Sequence, residues 1–134
     1  MFNLSEFDTS GIDLKFTYLL DTSFGELAFN NFTNILLNKD FKQDISSDQI
    51  NCKSLYRLGE EDGLCYQPSP KIQNVFNLAL TKRIFNNPSQ LGFTYRYIDN
   101  VDDSQKIGTA LNIPFDSYSY FDLNFVTNLD NDLD

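Results

Sequence analysis

Histidine and tryptophan are missing from the chain, cysteine occurs twice, and ten basic residues stand against nineteen acidic ones. Without histidine there is no Ser-His-Asp or Cys-His catalysis, no imidazole proton shuttle and none of the commonest zinc sites. Cys52 and Cys65 are too few and too distant in sequence for a CxxC redox or zinc motif. The scarcity of Lys and Arg leaves a formal charge of −9, which repels phosphate backbones and anionic membrane surfaces, so direct binding to nucleic acid or membrane is not expected. No apolar run approaches about eighteen residues, and no basic-then-apolar segment opens the chain, so neither a membrane span nor a signal peptide is expected. The expected setting is the cytoplasm, or a virion within an infected cell. In that setting the two cysteines read as buried free thiols.

What is present suffices for a core. Forty-one per cent of the 134 residues are apolar, with thirteen Phe and seven Tyr, which suits one domain of ordinary size. Residues 1–12 read as an N-terminal arm ending in a turn, and 128–134 as an acidic tail. The lean towards Asn, Phe, Ile, Tyr and Lys, with three Ala, is what AT-rich coding gives and points to a bacteriophage or a low-GC bacterium.

The central stretch runs from Ser69 to Pro88. Ser69 caps a helix, Pro70 fits its first turn, and Ile72, Val75, Phe76, Ala79, Leu80 and Ile84 recur at steps of three, one and four. Lys82 and Arg83 suit the last turn, and Asn86, Asn87 and Pro88 stop it. A second helix follows Ser23 and Glu26, through Leu27, Ala28, Phe32, Ile35 and Leu36 to about Asn38. Strands are expected where apolar and polar residues alternate, at Asp13 to Leu20, Leu91 to Asp99 and Tyr118 to Val126. Ile50 to Leu58 and Leu64 to Gln67 read as a hairpin around Gly59 to Gly63. The expectation is an α+β fold, an antiparallel or mixed sheet of about five strands with two helices on one face. The element order matches the ferredoxin-like βαββαβ pattern plus a C-terminal strand.

No catalytic set, cofactor site or metal site emerges from these residues. Asp8-Thr9-Ser10-Gly11 resembles the D-T-G loop of aspartic proteases, but Ser10 stands where that tight turn needs glycine. Asp99, Asp102 and Asp103 resemble fragments of calcium loops, as do Asp130, Asp132 and Asp134, without the glycine and distant glutamate that complete one. Gly92 to Tyr97 resembles an RNA-recognition strand, against the net charge and in the wrong place relative to the expected helices.

One asymmetry remains. After Arg96 there are eight Asp and a single Lys, and aromatics interleave with the acids. Asp116, Tyr118, Tyr120, Phe121, Asp122, Asp130, Asp132 and Asp134 are therefore the candidate partner-binding residues, since aromatics among charges are what interface hot spots look like. The expected function is non-enzymatic: a protein-binding subunit, a small phage or virion structural or assembly component, that docks on a protein partner or on itself. The alternative is an acidic soluble inhibitor, an immunity protein or anti-defence nucleic-acid mimic, docking on a basic surface.

Overall fold

A computed structural model describes residues 6–42, 46–56, 65, 67–103 and 114–128. Among them there are strands and no helix, so the α+β, ferredoxin-like expectation is overturned. The strands are β1 (Glu6–Thr22), β2 (Gly25–Lys42), β3 (Ile50–Asn51), β4 (Leu55–Tyr56), β5 (Ile72–Ile84), β6 (Asn87–Ile98), β7 (Asp102–Asp103) and β8 (Tyr118–Thr127). The main sheet is antiparallel with the order β1-β2-β5-β6-β8, and β3 pairs with β2. A second, two-stranded parallel sheet joins β4 to β7.

Both expected helices are strands of this sheet, β2 and β5. The reason lies in which residues a helix would have to carry. Asn74, Asn77, Thr81, Val75 and Ile72 are all poor helix formers. As a strand, the same segment puts Phe76, Leu78 and Leu80 on one side, and Asn77 meets Thr94 of β6 at 2.8 Å on the other. The expected stop signal is a hairpin turn. Phe85 and Asn86 both have positive φ, 49° and 66°, the type I′ geometry whose twist matches the strands it joins. At the other two-residue hairpin, Gly25 has φ 141°, and a Cβ there would lie 2.5 Å from the Thr81 carbonyl oxygen. Only glycine fits that approach.

The chain divides into two compact units, and the long strands contribute to both. Unit 1 comprises Met1–Asp13, Asn34–Gln73 and Tyr97–Tyr118. Its first strand segment includes residues 6–12, which read as an arm from the sequence but pair as part of β1. The N–H of Leu36 donates to Lys71 O at 2.9 Å, and that of Asp99 to Ile72 O at 2.9 Å. Of the expected hairpin from Ile50 to Gln67, the Gly59 to Gly63 connection lies outside the described residues, and the described strands pair elsewhere. β3 pairs with β2, Asp40 opposite Asn51 and Phe41 opposite Ile50. A turn at Ser54, φ 57°, then diverts the chain into β4 beside β7.

That turn frees Cys52 from strand alternation, and Cys52 is joined to Cys65 in a disulfide with the Cα atoms 5.4 Å apart. The expectation of two free thiols is corrected accordingly. Around the bridge sits the core of this unit: Cys52, Tyr56, Cys65 and Val101 are buried. Tyr56 packs on Phe115 with ring centroids 4.6 Å apart, and Val101 and Phe115 exchange backbone hydrogen bonds of 2.9 Å. Buried Ser69 is not a helix cap. Its Oγ accepts from Lys39 Nζ at 2.6 Å and donates to Gln67 O at 2.9 Å.

Unit 2 comprises Leu14–Thr33, Asn74–Arg96 and Ser119–Asp134. It holds a stretch of all five long strands, closed at one end by the two tight hairpins. Just past β8, Asn128 N–H donates to Pro88 O at 3.1 Å, and the hydroxyls of Thr127, at the end of that strand, and Ser89 lie 2.8 Å apart.

Candidate docking site

Side chains in a strand alternate between faces, and neighbouring strands continue each face across a sheet. In unit 2 the ring contacts trace one face through all five strands. Phe16 stacks on Tyr18 within β1, and Tyr18 meets Phe29 of β2, both at 6.4 Å. Two residues beyond Phe29, the Asn31 side-chain oxygen accepts from Asn74 Nδ2 at 2.8 Å. Two residues beyond Asn74, Phe76 lies edge-on to Phe93 of β6 at 6.5 Å, and Phe93 lies 6.3 Å from Phe121 of β8.

By alternation this face also carries Leu14, Leu20 and Leu27 on the first two strands, Leu78 and Leu80 on β5, Leu91 and Tyr95 on β6, and Leu123 and Phe125 on β8. It is apolar from edge to edge. Its limits are polar: Asn74 Nδ2 also donates to Thr33 Oγ1 at 2.7 Å at one end, and Lys82 marks the other.

The opposite face of the unit carries nearly all of its charged side chains, with Leu19, Phe32, Val75, Ala79 and Val126 interspersed by alternation. Thr17 donates to Asn30 at 3.1 Å, Thr94 to Asn77 at 2.8 Å, and Arg96 Nη1 to the Tyr120 hydroxyl at 3.2 Å. The Arg96 guanidinium also lies 5.6 Å from the centre of the Tyr120 ring, a cation–π contact.

A half-wetted antiparallel sheet has this alternation when its apolar face packs on something. Here, among the described residues of unit 2, no apolar side chain is buried. Phe121 is 69% exposed, Leu123 71% and Phe16 59%. Each such side chain left in water forgoes roughly 1.5–3 kcal/mol available from full burial.

Unit 1 carries two further concave features. The first is an apolar groove of about 470 Å³ lined by Pro68, Pro70, Ile98, Val101, Pro114, Phe115 and Tyr118, with Asp99 and Asp116 on its margin. Asp99 accepts from the Tyr97 hydroxyl at 3.1 Å and from Asn100 N–H at 3.0 Å. The second is a small polar recess of about 150 Å³ lined by Glu6, Asp8, Asp40, Phe41, Lys42 and Gln49. There Asp40 accepts from Asn38, Gln49 and Asn51 within 2.7 Å. The Asn38 hydrogen bond, the largest effect, holds its carboxyl below the ordinary value of 3.8; desolvation, second in size, opposes it, and the hydrogen bonds of Gln49 and Asn51 and the Lys53 charge add to the lowering. A carboxylate so held is a structural acceptor, unsuited to proton transfer near neutrality. Asp8-Thr9-Ser10-Gly11 lies within β1, with no tight turn. Among the described residues no three His, Cys, Asp or Glu side chains converge on a metal-sized site, and no helix is long and apolar enough to cross a membrane.

Of the sequence-derived partner residues, Asp116 and Tyr118 line the groove of unit 1. In unit 2, Phe121 belongs to the apolar face, while Tyr120 and Asp122 alternate onto the opposite one. Asp130, Asp132 and Asp134 lie outside the described residues. Sequence reasoning missed the contributions of β1, β2 and β5 to the apolar face. The available signal was the two-residue period of Leu14, Phe16, Tyr18 and Leu20 matched by Phe76, Leu78 and Leu80. Comparison with protein families, with curated proteins and with solved structures finds no match to this chain.

Proposed function

We propose that the chain is a non-enzymatic, protein-binding structural subunit that becomes complete only inside a multi-chain assembly. A phage or virion particle is the setting that its composition favours. The observation that supports this reading is the uncovered apolar face of unit 2, which runs across all five strands with no apolar side chain buried among the described residues. A soluble monomer rarely exposes an apolar patch beyond roughly 300–600 Å². Nine to eleven residues per strand at about 3.3 Å rise, and five strands about 4.8 Å apart, make the whole face roughly 700 Å² with its polar ends included, and its apolar part roughly 400 Å², a size at which exposed patches are often functional. The disulfide supports a particle exposed to oxidising surroundings over a chain kept in a reducing compartment. The test is fractionation of a native extract by sedimentation, followed by detection of the chain. The reading expects it in a species well above its own mass; a chain found wholly as a free monomer would overturn it.

A further inference from the structure

We infer that the partner covering the apolar face of unit 2 is a second copy of the same chain, packed face to face so that two five-stranded sheets form one sandwich. The inference rests on the docking reading above and names its partner.

Three features of the face point to a copy. The first is area. A face of roughly 700 Å² is close to the ~800 Å² that each partner contributes to a stable interface of standard size. A second identical sheet covers it edge to edge, where a single helix or an extended segment about 10 Å wide would leave most of it wet.

The second is charge. The chain carries −9 in all, yet the strand positions alternating onto this face include one charged residue, Lys82 at the hairpin end. A charged partner would find only Lys82 to pair with, at the hairpin end, whereas two copies can approach through the face with their acidic groups held elsewhere. Asp122, on the same strand as Phe121 and Leu123, alternates onto the opposite face.

The third is shape. Two antiparallel sheets that share one twist pack with their strands about 30° apart and their inner side chains interdigitated about 10 Å thick. The alternation of Phe and Leu along β5, β6 and β8 supplies large side chains at the spacing such packing uses. A two-fold contact of this kind is self-complementary and closes after two copies.

The test is sedimentation equilibrium of the purified chain from about 0.1 to 100 μM, with three variants. The wild type is expected at twice the chain mass in the upper part of that range. Phe93→Asp, on β6 midway along the face, and Leu123→Asp, on its β8 side, are each expected to weaken dimerisation at least a hundredfold while the strand signal in circular dichroism persists. Asp122→Lys, on the other side of the same strand, is expected to leave it within about twofold.

A wild type that stays monomeric throughout overturns the inference independently of any variant. If that monomer still enters a larger species in native extract, the docking reading survives with a different partner. If it floats with neutral phosphatidylcholine vesicles, the face is a lipid surface. A dimer indifferent to both aspartate substitutions is joined elsewhere, through a sheet edge, and overturns the face-to-face arrangement.

Discussion

Reducing the Cys52–Cys65 bridge perturbs unit 1 without altering a single atom of its sequence. The bridge closes a loop of 13 residues. In the chain-entropy account, a loop of that length restricts the unfolded ensemble by about 3 kcal/mol at 25 °C. Unfolding in urea should therefore show a midpoint lower by about 1–2 M in excess dithiothreitol than without it, taking a slope of about 1.5–2 kcal/mol per molar for a chain of this size. Protein concentration must be held fixed, because any self-association adds its own stabilisation. Thiol counting on the denatured, unreduced protein supplies the control. It should find no free thiol before reduction and two after. Two free thiols in protein purified under air, or a midpoint unmoved by the reductant, would refute the reasoning. The buried positions of Cys52 and Cys65 would then reflect packing of small apolar side chains alone.

Two further outcomes are expected. At the β5–β6 turn, Phe85 is 95% exposed with φ 49°, so Phe85→Asn should raise stability by about 0.5–1 kcal/mol in thermal or urea unfolding, because Asn tolerates the left-handed region and no packing is lost. For Asp40, whose folded carboxyl titrates below 3.8, the stabilisation is present above that value and lost as pH falls through the lower folded one. Asp40→Asn should thus be less stable than wild type at pH 7, with the two urea midpoints converging as pH falls below 3.8.

Three of the five long strands were legible because alternation in them is clean. Phe16 and Tyr18 against Lys15 and Thr17, Phe93 and Tyr95 against Thr94 and Arg96, and Phe121 and Leu123 against Asp122 and Asn124 each separate an apolar from a polar face. β5 was not legible, because it is interior to the sheet and carries apolar residues on both sides. Val75 and Ala79 lie opposite Phe76, Leu78 and Leu80, and the combined set imitates a helical stripe. The same ambiguity affected β2, where Ala28 and Phe32 lie opposite Leu27 and Phe29. Punctuation did not resolve it, because Asn86, Asn87 and Pro88 end a helix as readily as they make a hairpin.

The distribution of the candidate partner residues was hidden for a related reason. Residues 116–122 look like one aromatic and acidic patch only if neighbours in sequence share a surface, and in β8 they do not. The disulfide was hidden because alternation through an unbroken strand directs Cys52 away from Cys65. The turn at Ser54, with its positive φ, carries no Gly or Pro to announce it.

The described apolar side chains that are buried, Cys52, Tyr56, Cys65 and Val101, all belong to unit 1. One part of the chain thus has an interior of its own, while the other, if the assembly proposal holds, takes one from its partner. On the assembly reading, a newly made chain that finds no partner keeps an unprotected sheet that opens readily and is cut by proteases at a rate set by how often it opens. A chain that finds one is spared. Supply then regulates itself: surplus subunits are short-lived, assembled ones persist, and the ratio of components in the particle is corrected by turnover, without a separate sensor.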